Sequence, residues 1–131
     1  MGRGFKSFAL VCAILTLTAA VHAQDRLPDQ RQTLLDLAYV LGESHALRQV
    51  CEGTANQFWR NRMQRLVGAE APDADFDQRL KASFNTGFIA GQSAYPVCGR
   101  ASRREEARLA ERGRALTAGL SGAMANAASP R

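Results

Sequence analysis

From residue 32 onward, apolar positions recur three or four residues apart in four stretches, each bounded by a glycine, a proline or a capping residue. Leu34, Leu37, Leu41, Leu47 and Cys51 make the first stripe over Gln32–Cys51, with Ser44 on the same line and Gly53 as its C-terminal stop. Gly42, Ser44 and Ala46 are small enough to admit a close partner helix. The second stripe, Ala55, Phe58, Trp59, Met63, Leu66 and Val67, follows Thr54 as its expected N-cap and closes at Gly68 and Pro72. The third runs through Phe76, Leu80, Phe84, Gly87/Phe88, Gly91 and Tyr95, with Asp73, Asp75 and Asp77 at its positive end and Pro96 as its stop. Gly87 and Gly91 mark either close packing or a bend. The fourth opens on Ser102-Arg103-Arg104-Glu105, a match to the S-x-x-E capping box. It continues through Leu109, Gly113, Leu116, Leu120 and Met124 and is expected to fray beyond Ser121, where alanine, glycine and serine dominate.

No stretch alternates with a two-residue period, and Ile89 is the one isoleucine after residue 23, so a sheet is not expected. The pattern predicts an all-α, single-domain four-helix bundle over residues 24–131, its core about 30–122.

Upstream the pattern changes. Arg3 and Lys6 precede an uncharged run from Ser7 to Val21, and Val21-His22-Ala23 supplies the small residues of a cleavage point. Basic start, apolar middle and small-residue exit describe a secretory signal peptide over residues 1–23, with the mature chain beginning at Gln24. The run is shorter than the roughly 20 apolar residues of a spanning helix, so no stable membrane span is expected after cleavage. Cys12 lies inside the run and leaves with it.

Composition adds little to this picture. The 131 residues are 46% hydrophobic and 22% charged, a globular balance. Removing Arg3 and Lys6 from 17 basic residues, against 12 acidic ones, leaves a net +3. That charge favours anionic envelope surfaces and is too small to argue for nucleic acid. Export changes the meaning of the cysteines: only Cys51 and Cys98 remain, in a compartment where disulfides persist, and two thiols have one intramolecular pairing. There is no C-x-x-C and no Cys/His cluster, so neither redox exchange nor a zinc site is expected, and no cofactor. The bond ties the end of the first helix to the stop of the third.

Candidate chemistry is sparse. His45, the only histidine after the leader, has Glu43 and Glu52 near it in sequence but no carboxylate three or four residues away. It reads as a partly buried, hydrogen-bonded residue sharing a face with Arg48. Trp59-Arg60 is either a core aromatic with its neighbour or an aromatic–arginine platform for a glycan or peptide. Asn85, between Phe84 and Phe88, is expected to bring an amide near the core, to lock a neighbouring helix or to touch a ligand. Tyr39 and Tyr95 are placed to reach backbone partners. Glu105, Glu106 and the arginines around them read as a solvated face. No phosphate loop, H-E-x-x-H or G-x-S-x-G is present.

LAYVLGESHALRQVCEG, FWRNRMQRLVGAEAP and RLKASFNTGFIAGQSAYPVCG together resemble a family of small secreted alphaproteobacterial proteins that carries only a domain-of-unknown-function label. The family pattern is L-G-x-x-H-x-L-R-x-x-C, W-R-x-x-M, F-N-x-G-(aromatic) and Y-x-x-C. Here it falls on Leu41, Gly42, His45, Leu47, Arg48, Cys51, Trp59, Arg60, Met63, Phe84, Asn85, Gly87, Phe88, Tyr95 and Cys98. The resemblance implies a periplasmic protein with one cystine and brings no activity. The expectation is therefore a non-enzymatic binding or adaptor protein acting on an envelope protein or cell-wall component. The alternatives are a helical periplasmic chaperone and a small hydrolase using His45.

Overall fold

A computed structural model describes residues 22–128, so nearly all of the expected leader lies outside the described residues. A 3-10 turn at Ala23–Asp25 leads into α1 (Pro28–Glu52), α2 (Phe58–Glu70), α3 (Ala74–Ala94) and α4 (Arg100–Ala128). Among the described residues there is no strand, and the architecture is an all-α four-helix bundle. Its hub is α1, which packs against α2, α3 and α4, most extensively against α3. Contact between α2 and α3 is slight.

Two helix boundaries follow the sequence signals closely. The α1 helix stops at Gly53, whose φ of 93° needs no Cβ to be avoided. The Asp73 carboxylate accepts the Phe76 N–H at 2.8 Å and caps α3. The α1 helix starts upstream of its apolar stripe, at Pro28, because proline presets the first helical φ and the Gln30 side chain accepts the Leu27 N–H at 3.2 Å.

Two other starts differ from expectation. Thr54 does not cap α2: its carbonyl accepts from the Gln49 and Gln57 side chains at 2.9 and 3.2 Å. Asn56 Oδ1 takes the Phe58 N–H at 3.1 Å, which delays the helix to Phe58 and leaves Ala55 outside it. The Ser102–Glu105 capping box does not form either. The α4 helix begins at Arg100, and Ser102 reaches back instead, accepting the Gly99 N–H and donating to the Gly99 carbonyl, both at 2.9 Å. Glu105 is left to pair with Arg108. At its far end α4 continues past Ser121 to Ala128, alanine being the strongest helix former; the Met124 side chain lies outside the described residues.

The α2 helix runs through Gly68 to Glu70 and ends on Ala71, at φ 41° and ψ 57°. A left-handed alanine costs roughly 1–2 kcal/mol, part of which glycine recovers. Ala71→Gly is accordingly expected to raise stability by about 0.5–1 kcal/mol, read from the urea midpoint.

Cys51 at the end of α1 and Cys98 in the α3–α4 connection have their sulfurs at bonding distance, 2.08 Å. One core cluster joins Leu34, Leu37, Ala38 and Leu41 of α1 to Phe76, Leu80 and Phe84 of α3, Met63 of α2 and Leu120 of α4. A second joins Val40, Ala46 and Leu47 to Leu109. The α1–α3 seam has almost no side chain in its middle. A Cβ on Gly42 would lie 1.9 Å from the Phe84 carbonyl oxygen, and one on Gly87 would lie 2.1 Å from that of Tyr39. Gly87 and Gly91 thus serve close packing, and Ser83 adds a hydroxyl bond to the Leu35 carbonyl at 2.7 Å.

Candidate functional site

The residues singled out from sequence fall into four places. Arg48 and Trp59 meet at the junction of α1, α2 and α4. The Trp59 indole N–H donates to Glu106 Oε1 at 2.8 Å, and Arg48 Nε donates to the same oxygen at 2.5 Å. Trp59 is half-buried against the core, with the exposed Phe58 ring edge-on to it at 5.0 Å. The guanidinium carbons of Arg48 and Arg62 each lie 4.9 Å from the Phe58 ring centre. Trp59 is therefore part of a polar clasp that ties the start of α2 to α4. Glu106, read from sequence as a solvated residue, is the acceptor at its centre.

Arg60 and Asn85 lie elsewhere. Asn85 is exposed, contrary to the expectation of an amide near the core: one residue beyond Phe84 turns the side chain about 100° away from α1. With Arg60, Gln64 and Lys81 it rims a groove of about 380 Å³ between α2 and α3, floored by Met63, Val67 and Phe84. Tyr95 packs against the second core cluster beside the cystine. Neither its hydroxyl nor that of Tyr39 has a hydrogen bond among the described residues.

His45 is buried, 4% exposed, between the rings of Phe84 and Phe88 at 5.8 and 5.4 Å. Its Nδ1 has no hydrogen-bond partner, where a bonded residue was expected. No carboxylate or free nucleophile is bonded to it, and the neighbouring Ser44 hydroxyl donates to the Val40 carbonyl.

A second clasp holds the other end of α2, and no spacing in the sequence announces it. Arg26, just after the 3-10 turn, donates from Nε and Nη2 to the two Glu70 carboxylate oxygens at 3.1 and 2.7 Å, and both side chains are under 10% exposed. Breaking a buried pair costs about 3–5 kcal/mol where the stranded charge cannot escape. Here the stranded group can reach water by local release of the segment before α1. Glu70→Ala is therefore expected to cost about 2 kcal/mol in urea unfolding and to expose the Arg26 peptide bond to limited proteolysis.

Between its clasps α2 stands off α4 as well as α3. The α2–α4 groove, about 660 Å³, is floored by Leu37, Val40 and Leu41 of α1 and rimmed by Arg62, Arg65 and Arg114.

A family model described as a protein of unknown function, DUF2385, matches residues 28–123. The chain belongs to this family. Searches of curated proteins and of solved structures gave no match. The DUF2385 match begins on the first residue of α1 and takes in α2, α3 and most of α4, so both grooves lie within it. Glu70 of the second clasp is inside the matched stretch and Arg26 is outside. Among the described residues of this DUF2385 chain there is no group of side chains arranged to hold a metal ion, and no helix long and apolar enough to cross a membrane.

His45 gives a pH signature. Burial pushes its imidazole below the ordinary histidine range, and the Arg60 charge adds to the effect. Below that ordinary range the unfolded chain binds a proton that the folded chain refuses. Stability is thus full above the ordinary histidine value of 6.5 and is lost as pH falls below it. The urea midpoint is expected to drop between about pH 7.5 and 5.5, and His45→Gln to flatten that drop. Glu43, whose carboxyl is raised by burial first and by Glu105 second, titrates in both proteins and cancels in the comparison.

Proposed function

We propose that this chain is an exported, non-enzymatic binding protein of the cell envelope, an adaptor for an envelope protein or cell-wall component. The observation that carries the reading is the posture of α2. Polar clasps fix it at both ends, and its two flanks are left as grooves with apolar floors and basic rims. Preformed clefts of this kind are where ligands bind. Export is supported by the leader pattern, and a cystine suits an oxidising compartment. A bacterial periplasm fits both features. The hydrolase alternative gains no support from a histidine enclosed by two phenyl rings. The chaperone alternative needs an exposed apolar groove, whereas the floor residues Leu37, Val40, Leu41, Met63 and Phe84 are each at most 8% exposed, and the exposed large residues Leu27, Phe58, Ile89 and Val97 lie in separate segments.

The test places a photo-crosslinking residue in living cells at Gln64 or Arg65, in the two grooves, or at Gln92, exposed on α3. Expected are a periplasmic product starting at Gln24 and discrete envelope adducts from Gln64 or Arg65 but not from Gln92. A cytosolic product with its leader intact, or adducts indifferent to position, refutes the reading.

A further inference from the structure

Building on the binding-protein reading above, we propose that the α2–α4 groove seats an amphipathic α-helix of a partner protein, one with acidic residues flanking a narrow apolar stripe. The shape of the groove selects a helix. Its α4 wall presents Ala110, Gly113, Thr117 and Ser121, small residues on successive turns of one face. They extend about 17 Å, roughly three turns. Small side chains let a second helix axis come close. The floor points the same way: Leu37, Val40 and Leu41 are at most 7% exposed, so no apolar tunnel remains for an acyl chain to enter. A helix lying on this surface needs only a thin apolar stripe.

Charge selects the flanks. Arg62 and Arg65 stand on the α2 rim and Arg114 on the α4 rim. Arg62 and Arg65 have no carboxylate within 4 Å among the described residues. Arg114 has only Glu111, at 4.0 Å, with both side chains more than 70% exposed. Guanidinium groups on both rims suit carboxylates on both sides of an incoming helix. A second copy of the chain from Gln24 onward, at net +3, carries the wrong sign overall, and the leader brings Arg3 and Lys6 and no acid. The partner is thus a different, acidic protein. The two clasps hold α2 in place beforehand, so the groove need not be built on binding.

Trp59, the single tryptophan, lines one end of the groove and reports occupancy by its fluorescence. The oxidised chain is titrated with two synthetic helical peptides of about four turns, sharing one leucine–alanine stripe flanked by glutamate in one and by lysine in the other. Phosphatidylglycerol vesicles form a third arm. The glutamate peptide is expected to bind at least about tenfold more tightly than the lysine peptide at physiological salt. The double variant Arg65→Glu/Arg114→Glu is expected to reverse that preference, Thr117→Phe to abolish binding of both peptides, and Gln92→Glu, exposed on α3 outside both grooves, to change nothing. Far-UV circular dichroism verifies folding of each variant, and the reversed preference cannot come from an unfolded one. Equal binding of the two peptides, or binding of vesicles alone, overturns the proposal. Absence of peptide binding while Arg65 still crosslinks to an envelope component overturns this partner class and leaves the binding-protein reading intact. Peptide binding without any envelope adduct supports the site and counts against that reading.

Discussion

Gly87→Ala and Gly42→Ala should each destabilise the fold by roughly 3 kcal/mol or more, although alanine is the better helix former. The reason is what the new methyl group meets. At Gly87 it would lie 2.1 Å from the Tyr39 carbonyl oxygen and 2.9 Å from that carbonyl carbon. At Gly42 it would lie 1.9 Å from the Phe84 oxygen and 2.9 Å from the Phe88 nitrogen. These are backbone atoms in the middle of helices and cannot swing aside as a side chain can. Relief requires α1 and α3 to separate, and separation loosens the leucines and phenylalanines on either side. Gly68→Ala and Gly119→Ala are the controls: nothing lies within 4 Å of either new methyl, so each should gain up to about 1 kcal/mol from helix propensity. Gly91→Ala falls between, because its contacts are longer: the Ala46 methyl at 2.9 Å and the Glu43 carbonyl oxygen and Leu47 tip at 3.0 Å, of which the Leu47 tip can yield. Urea midpoints of the five variants give the order directly. A Gly87→Ala protein as stable as Gly119→Ala would mean that the α1–α3 seam is wider than described.

Reduction of the Cys51–Cys98 bond is expected to cost about 4 kcal/mol, the chain-entropy value for a separation of 47 residues. In a domain stable by about 5–15 kcal/mol that can be most of the margin. The bond also positions the start of α4. Ser102, whose hydroxyl lies 3.7 Å from the Cys51 sulfur, holds Gly99 next to Cys98, so the cystine and the first turn of α4 form one corner. Unfolding in urea with and without a thiol reductant, alongside Cys51→Ser/Cys98→Ser, measures the effect. A loss below about 1 kcal/mol would show that the reduced chain retains the same closed loop when unfolded.

The helices were legible wherever one residue has one structural use. Gly53 can take a positive φ, Asp73 offers a carboxylate to free amides, and Pro96 follows the end of α3; the chain obeys all three. Boundaries depart from the local signal where a residue has several uses. Thr54 looks like a cap, but two glutamine side chains claim its carbonyl and Asn56 does the capping. Ser102-x-x-Glu105 looks like a capping box, but Gly99 is already next to the cystine and the helix starts there. Asn85 differs from Phe84 by a single step of helical phase, which separates a buried face from a groove rim.

By itself, the sequence determined the number and order of the helices, singled out Cys51 and Cys98 as a pair, and showed the small residues that let α1 and α3 touch. All of these rest on local periodicity, turn chemistry or counting. Only the tertiary structure decided that Glu70 answers Arg26, that one oxygen of Glu106 serves both Trp59 and Arg48, and that α2 stands clear of its neighbours with grooves on either side. Those pairs lie 44 to 58 residues apart along the chain, and the spacing of residues carries no information about which distant side chains will share a buried space.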